Sequence, residues 1–226
     1  MIDIKAQSKL VVGEPLNEES FTYALSLLAA QDPDLANILT VRGSPPFWVR
    51  EPGFATLIQI ILEQQVSLAS AKAVFARLQA AISPITPEQF LKLDDTEIKT
   101  IGFSRQKALY GRLLAQSIID GHLDLATLNT MNDEYIRSVL KKIKGIGDWT
   151  VDIYLLMAMR RPDSLPKGDL ALAIAVQKVK RLAQRPLPKE LEVIAQVWQP
   201  WRGVATRLLW HYYLSERDLS KGKQQI

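Results

Sequence analysis

Leu140-Lys-Lys-Ile-Lys-Gly-Ile-Gly-Asp-Trp-Thr-Val-Asp-Ile-Tyr-Leu155, continued by Leu156-Met-Ala-Met-Arg-Arg161 and Pro162-Asp-Ser-Leu-Pro-Lys-Gly-Asp169, decides how the rest of the chain reads. A short helix ends at a Gly-Ile-Gly turn, and a strongly apolar helix, Trp149 to Met159, starts straight after it. Two glycines let the main chain approach a neighbour closely. The amides of Gly145, Gly147 and Asp148 then open the second helix, where direct hydrogen bonds and the helix dipole suit an anion such as a phosphate. Lys141, Lys142 and Lys144 add positive charge, which makes such binding salt-dependent. A Gly-x-Gly turn is also an ordinary tight turn, and these residues alone leave both readings open. Asp169 stands where a further helix begins. By its local chemistry it is either a capping aspartate or a carboxylate that acts beside the docked anion.

Outward from this stretch the charge is uneven. Between Lys141 and Arg185 there are ten basic residues against four acidic ones, a net +6. The other 18 basic and 20 acidic residues leave the remainder at −2, within a whole-chain net charge of +4. A basic zone on a nearly neutral body points to a polyanion or to a solvated basic face. The 226 residues, 47% hydrophobic, suffice for one domain or two closely packed lobes. With no cysteine, disulfides, thiolate zinc sites, cysteine nucleophiles and cysteine-held iron–sulfur clusters are excluded. His122 and His211 are the only histidines, too few for a histidine-rich metal site. No apolar run is long enough for a membrane span, and Met1–Lys9 lacks the apolar core of a signal peptide. A cytoplasmic protein is expected, nucleoid-associated if prokaryotic.

The pattern elsewhere is helical throughout, with no strand alternation. Asn17, Ser67 or Ser70, Thr86, Asp94 or Asp95, Ser104 and Asn132 are expected to cap helices, Asp34 to start a short one, and Gly102 to close another in left-handed conformation. On the helix after Asn132, Tyr135, Ile136 and Val139 are expected to face inward. Ser44-Pro45-Pro46-Phe47-Trp48 is a loop, because paired prolines forbid a helix interior; its aromatics are core plugs or pocket walls. Glu63-Gln64-Gln65 places polar groups at the end of an apolar helix, as exposed helix-end residues or as the polar edge of a cleft. The tail after Arg217 is polar and is expected to fray.

The stretch Leu140–Thr150, Leu165–Asp169 and Trp198-Gln-Pro-Trp-Arg202 through Trp210 resembles the helix-hairpin-helix DNA glycosylases, and more narrowly the 3-methyladenine DNA glycosylase II family of alkylation repair. Ile61-Leu-Glu-Gln-Gln-Val-Ser67 and Gly102-Phe-Ser-Arg-Gln-Lys-Ala108 extend the resemblance in family order. It implies Asp169 as the catalytic aspartate and Trp149 and Trp210 as aromatics lining or supporting the base pocket, for which Tyr154, Phe47, Trp48 and Gln64 are further candidates from the residues themselves. It implies a phosphate anchor at the hairpin amides, which makes Gly145, Gly147, Asp148 and Thr150, with Lys144 beside them, the expected phosphate-binding residues. The carbonyls of Lys141, Ile143 and Ile146 would hold a monovalent cation, Na+ or K+, and Ile82-Ser83 would be the wedge that fills the gap left by a flipped base. Relatives with lyase activity carry a lysine where this chain has Trp149, so a monofunctional enzyme without Schiff-base chemistry is implied. The extra β-rich N-terminal domain that some members carry is not expected in a chain of this length.

The expectation is therefore an all-α fold of two helical lobes with a cleft between them. One lobe is formed by residues 1–54 and 165–226, the other by 55–164 with the helix-hairpin-helix at about 140–160, and the glycosylase domain as a whole spans about 17–215. The expected activity is excision of alkylated purines, of the 3-methyladenine and 7-methylguanine type, from double-stranded DNA by a monomer without a required cofactor. The alternatives are a glycosylase for oxidised or deaminated bases and a non-catalytic DNA-binding protein of the same fold.

Overall fold

The computed structural model describes residues 14–222, with side chains through 219. Met1–Lys9, where no signal peptide is expected, lies outside them, as does the end of the polar tail after Gly222. The described residues contain helices and no strand. In chain order these are α1 (Glu18–Gln31), α2 (Pro33–Arg42), α3 (Phe54–Glu63), α4 (Leu68–Ala81), α5 (Pro87–Lys92), α6 (Asp95–Ile101) and α7 (Arg105–Ile119), followed by α8 (Leu125–Leu128), α9 (Asp133–Leu140), α10 (Asp148–Met157), α11 (Leu170–Val179), α12 (Pro188–Ile194) and α13 (Arg202–Gly222). No described helix is long and apolar enough to cross a membrane. The chain divides into two compact units, one built from both ends, up to Val49 and from Arg160 onward, and one from Arg50–Met159.

The Arg50–Met159 unit is organised around α3. Phe54, Leu57, Ile58, Ile60, Ile61 and Leu62 are all buried, each contributing roughly 1.5–3 kcal/mol of apolar transfer, because α4, α7 and α10 cover different faces of the helix. Gly111 lets α7 close onto this core: a Cβ there would lie 2.7 Å from the Phe90 ring and 3.1 Å from Ile58. Capping follows local chemistry. Thr86, Asp94, Ser104 and Asn132 each accept a first-turn amide, Ser67 rather than Ser70 caps α4, and Gly102 closes α6 at φ 107°. One facing differs from expectation. On α9, Ile136 and Leu140 are buried, while Tyr135 is 49% exposed; with only eight residues the helix has one narrow inward stripe, and Tyr135 falls beside it.

In the unit built from the chain ends, α13 packs against α1, α2 and α11. Asn17 caps α1 in a reciprocal box with Ser20. α2 starts one turn position earlier than expected: Asp32, not Asp34, is the cap, and Pro33 takes the first helical position. The expected fraying after Arg217 is not observed up to Gly222, because α13 continues through those polar residues; Arg217 lies over the Tyr213 ring at 5.6 Å, one turn back on the same helix.

Candidate active site

The hairpin lies in the Arg50–Met159 unit, and its two glycines have different physical reasons. Gly145 sits at φ 95°, and a Cβ there would come within 2.1 Å of the Tyr110 ring, so no other residue fits. Gly147 has extended backbone and open space on its Cβ side. As the cap of α10 it supplies no side chain to the first amides of that helix, which have no acceptor within the helix either. Ile143 and Ile146, both buried, anchor the turn from below. Gln64, from the end of α3, donates its amide to the Gly145 carbonyl at 2.8 Å and to Thr150 Oγ1 at 2.9 Å.

These contacts correct several expectations. Gln64 braces the hairpin, with its amide nitrogen donating to both groups. The Thr150 side chain is buried, so only its main chain can serve an anchor. Lys141 Nζ donates to Asp148 at 2.8 Å, and Arg137 approaches the same carboxylate at 3.5 Å. The Lys141 hydrogen bond holds the Asp148 carboxyl below the usual range. Its side chain is thus an anion at the helix start, and only its amide suits a phosphate. Lys142 and Lys144 are exposed, whereas part of the Lys141 charge is answered within the protein. Tyr154 is fully buried and its hydroxyl accepts the Gly53 amide at 3.1 Å; it has no free ring face for a base. Trp149, in the first turn of α10, is half-buried. The carbonyl of Ile143 accepts the Ile146 amide at 3.0 Å within the turn.

Asp169 lies in the other unit and caps α11. Its Oδ1 accepts the Leu172 amide at 2.8 Å and the Trp210 indole N–H at 3.0 Å. The capping reading holds, and a tryptophan from α13 also fixes the carboxylate. The segment leading to it is laid along the start of α13. Arg202 holds Asp163 through two donors at 2.9 and 2.6 Å, and the Gly203 amide donates to the Pro162 carbonyl at 2.7 Å. A Cβ on Gly203 would meet that carbonyl oxygen at 2.8 Å. Lys167 is directed to Glu192 at 3.0 Å. Of the loop aromatics, Phe47 is a core plug: its ring is 4.9 Å from that of Phe21. Trp48 is half-buried, and its carbonyl accepts from the buried Arg207 at 3.2 Å.

Ile82 is half-buried at the end of α4 and Ser83 is exposed. A feature with no local sequence signal lies elsewhere. Gln65, next to the hairpin-bound Gln64, is exposed and at φ 56°, a left-handed conformation that glutamine rarely adopts. The turn carrying it is held by Lys107, whose ammonium donates to the Leu62 carbonyl at 2.7 Å, and by a two-donor Arg50–Glu63 pair at 2.8 and 3.1 Å.

A family model described as HhH-GPD superfamily base excision DNA repair protein matches residues 58–202. The putative DNA-3-methyladenine glycosylase YfjP of Bacillus subtilis is 30% identical over 162 residues, which are 68% of this chain and 56% of that protein. DNA-3-methyladenine glycosylase 1 of Schizosaccharomyces pombe is 27% identical over 165 residues, 71% of this chain and 72% of that one. Among solved structures, the S. pombe 3-methyladenine DNA glycosylase in complex with abasic DNA matches with a TM-score of 0.78 at 25% identity, covering 83% of this chain and 95% of its own. The family match takes in the second half of α3, the hairpin and Asp169, and the chain belongs to the HhH-GPD superfamily of base excision DNA repair proteins.

Proposed function

We propose that this protein hydrolyses the N-glycosidic bond of alkylated purines in double-stranded DNA and leaves an abasic site. The observation that carries this reading is Asp169, a carboxylate that is only half-buried and whose Oδ1 is held in one orientation by the Leu172 amide and the Trp210 indole. When the bond between C1′ and the base nitrogen breaks, its electron pair leaves with the base and positive charge develops on the sugar. A carboxylate of fixed orientation stabilises that charge. Water then forms the new C1′–O bond and gives up a proton. Alkylation at a ring nitrogen makes the base cationic, so it departs neutral and needs no strong acid. The names of the similar proteins support alkylated purines as the substrate.

The α10 amides around Gly147, with Lys142 and Lys144, would take a backbone phosphate. The carbonyls of Lys141, Ile143 and Ile146 would supply neutral oxygens from one turn, which would suit Na+ or K+ beside that phosphate better than a divalent ion. Trp149 and Trp210 would line or support the base pocket, with Trp48 as a further wall. Trp149 offers no amine, so a Schiff base is not available there. The gap left by the flipped base would be filled from the Ile82-Ser83 turn or by Gln65. The exposure, φ and hairpin-bound neighbour of Gln65 favour the latter. The reading takes the protein as a monomer.

The test is base release from methylated duplex DNA by wild type and Asp169→Asn side by side, with a panel of duplexes carrying single oxidised or deaminated bases. Release of 3-methyladenine and 7-methylguanine by wild type, lost in the variant that still binds abasic DNA, is expected. Release at the wild-type rate by Asp169→Asn would remove Asp169 from the chemistry. Release confined to oxidised or deaminated bases would change the substrate class.

A further inference from the structure

We propose that Lys107, together with the Arg50–Glu63 pair, is a positioning residue for base flipping: it holds the Leu62–Gln65 turn so that Gln65 stands ready to replace a base leaving the duplex. The proposal rests on the excision reading above and adds groups that do not themselves enter the DNA.

Three successive residues of this turn are tied to three different parts of the unit. The Leu62 carbonyl accepts from Lys107 of α7. Glu63 pairs with Arg50, with side chains only 9% and 19% exposed. Gln64 is bonded to the hairpin. The next residue, Gln65, is exposed at φ 56°. A non-glycine residue in that conformation is strained and persists where its surroundings over-determine it. The tethers all act on the residues just before it, while Gln65 itself points its side chain into solvent. Lys107 suits the task. It sits at the carboxyl end of α3, where the last carbonyls lack helix partners and a cation is favoured. Burial draws its pKa below the ordinary lysine range, and the 2.7 Å bond to Leu62 offsets that desolvation. Because Gln64 links the same turn to the hairpin, the phosphate anchor and the gap-filling residue are set in one frame before DNA arrives. The cost of ordering the turn is then met during folding, and not during each flipping event.

Single-turnover release of 7-methylguanine tests this on two substrates. In one the lesion is paired in a duplex. In the other it lies in a short unpaired bubble, where less unstacking is needed. Lys107→Met is expected to slow release from the duplex by about ten- to hundredfold, the range set by losing control of one strained residue, and to leave release from the bubble within about twofold of wild type. Lys107→Arg should recover most of the duplex rate. Gln65→Ala, an exposed substitution that leaves the fold intact, should show the same duplex-selective loss. The double variant should be no slower than Gln65→Ala alone, since both changes act through one group. Equal losses of Lys107→Met on duplex and bubble, or additive losses in the double variant, would overturn the proposal while leaving the glycosylase reading in place. Wild type releasing no base from any methylated strand would instead overturn the glycosylase reading, and this proposal with it.

Discussion

Two aspartates in the unit built from the chain ends occupy the same local station and do different things. Asp32 caps α2 and Asp169 caps α11, and each accepts a tryptophan indole: Trp198 to Asp32 at 2.7 Å, Trp210 to Asp169 at 3.0 Å. Asp32 is 4% exposed, and Lys180 donates to both of its oxygens at 2.7 Å. Asp169 is half-buried, and the nearby Lys167 is directed to Glu192. Capping and an indole bond therefore do not make a carboxylate catalytic. What separates the two is the degree of burial and the Lys180 ammonium that donates to both oxygens of Asp32.

Exchanging each carboxylate for an amide is the strongest way to break the comparison. Asp169→Asn should lower base release by about 10²–10³-fold, the scale of one preorganised electrostatic group, while its melting temperature stays near wild type because asparagine caps as well as aspartate. Asp32→Asn should do the reverse. Base release per folded molecule is kept, and urea unfolding reports a loss of roughly 2 kcal/mol, below the usual cost of breaking a buried pair because Lys180 is partly exposed and keeps Asp34. Trp210→Phe sharpens the same contrast on a smaller scale. It should reduce kcat about tenfold with KM little changed, the size of one hydrogen bond to a charged group, in steady-state assays. The smallest effect is in acid. Burial alone would raise the Asp32 pKa, but the bonds from Lys180 and Trp198 outweigh it and hold it below the ordinary value of 3.8. A carboxyl depressed on folding contributes stability above its unfolded pKa and loses it as pH falls through the folded value. Wild type should accordingly lose more stability than Asp32→Asn as pH is lowered from 5 through that range, measured by urea midpoints at each pH.

What could be read from sequence follows the range of the interactions. Asn17, Thr86, Asp94, Ser104, Asn132 and Gly102 are legible because a cap is decided within four residues. Asp169 is legible as a cap for the same reason, and as a catalytic group only through resemblance. Its indole partner lies 41 residues away, and nothing local announces that bond. The role of Asp32 is set by Trp198, 166 residues on, and by Lys180, so the reading that started α2 at Asp34 had no access to it. Tyr154 is not legible as a core residue, because an aromatic on an apolar helix has no local mark of its buried side. The Gln65 backbone was invisible because glutamine carries no preference for positive φ; three tethers from elsewhere impose it.

Gly147 has a consequence for the free protein. A serine, aspartate or asparagine in its place would cap α10, a contribution of about 1 kcal/mol over an uncapped end, though glycine forgoes only a few tenths of it. The chain forgoes that increment at the start of α10. On the proposed function, a backbone phosphate of the DNA is the missing cap, so substrate binding and folding are thermodynamically linked. The molecule is then most stable while engaged with DNA, and the segment that reads the backbone is also the one whose secondary structure the substrate finishes.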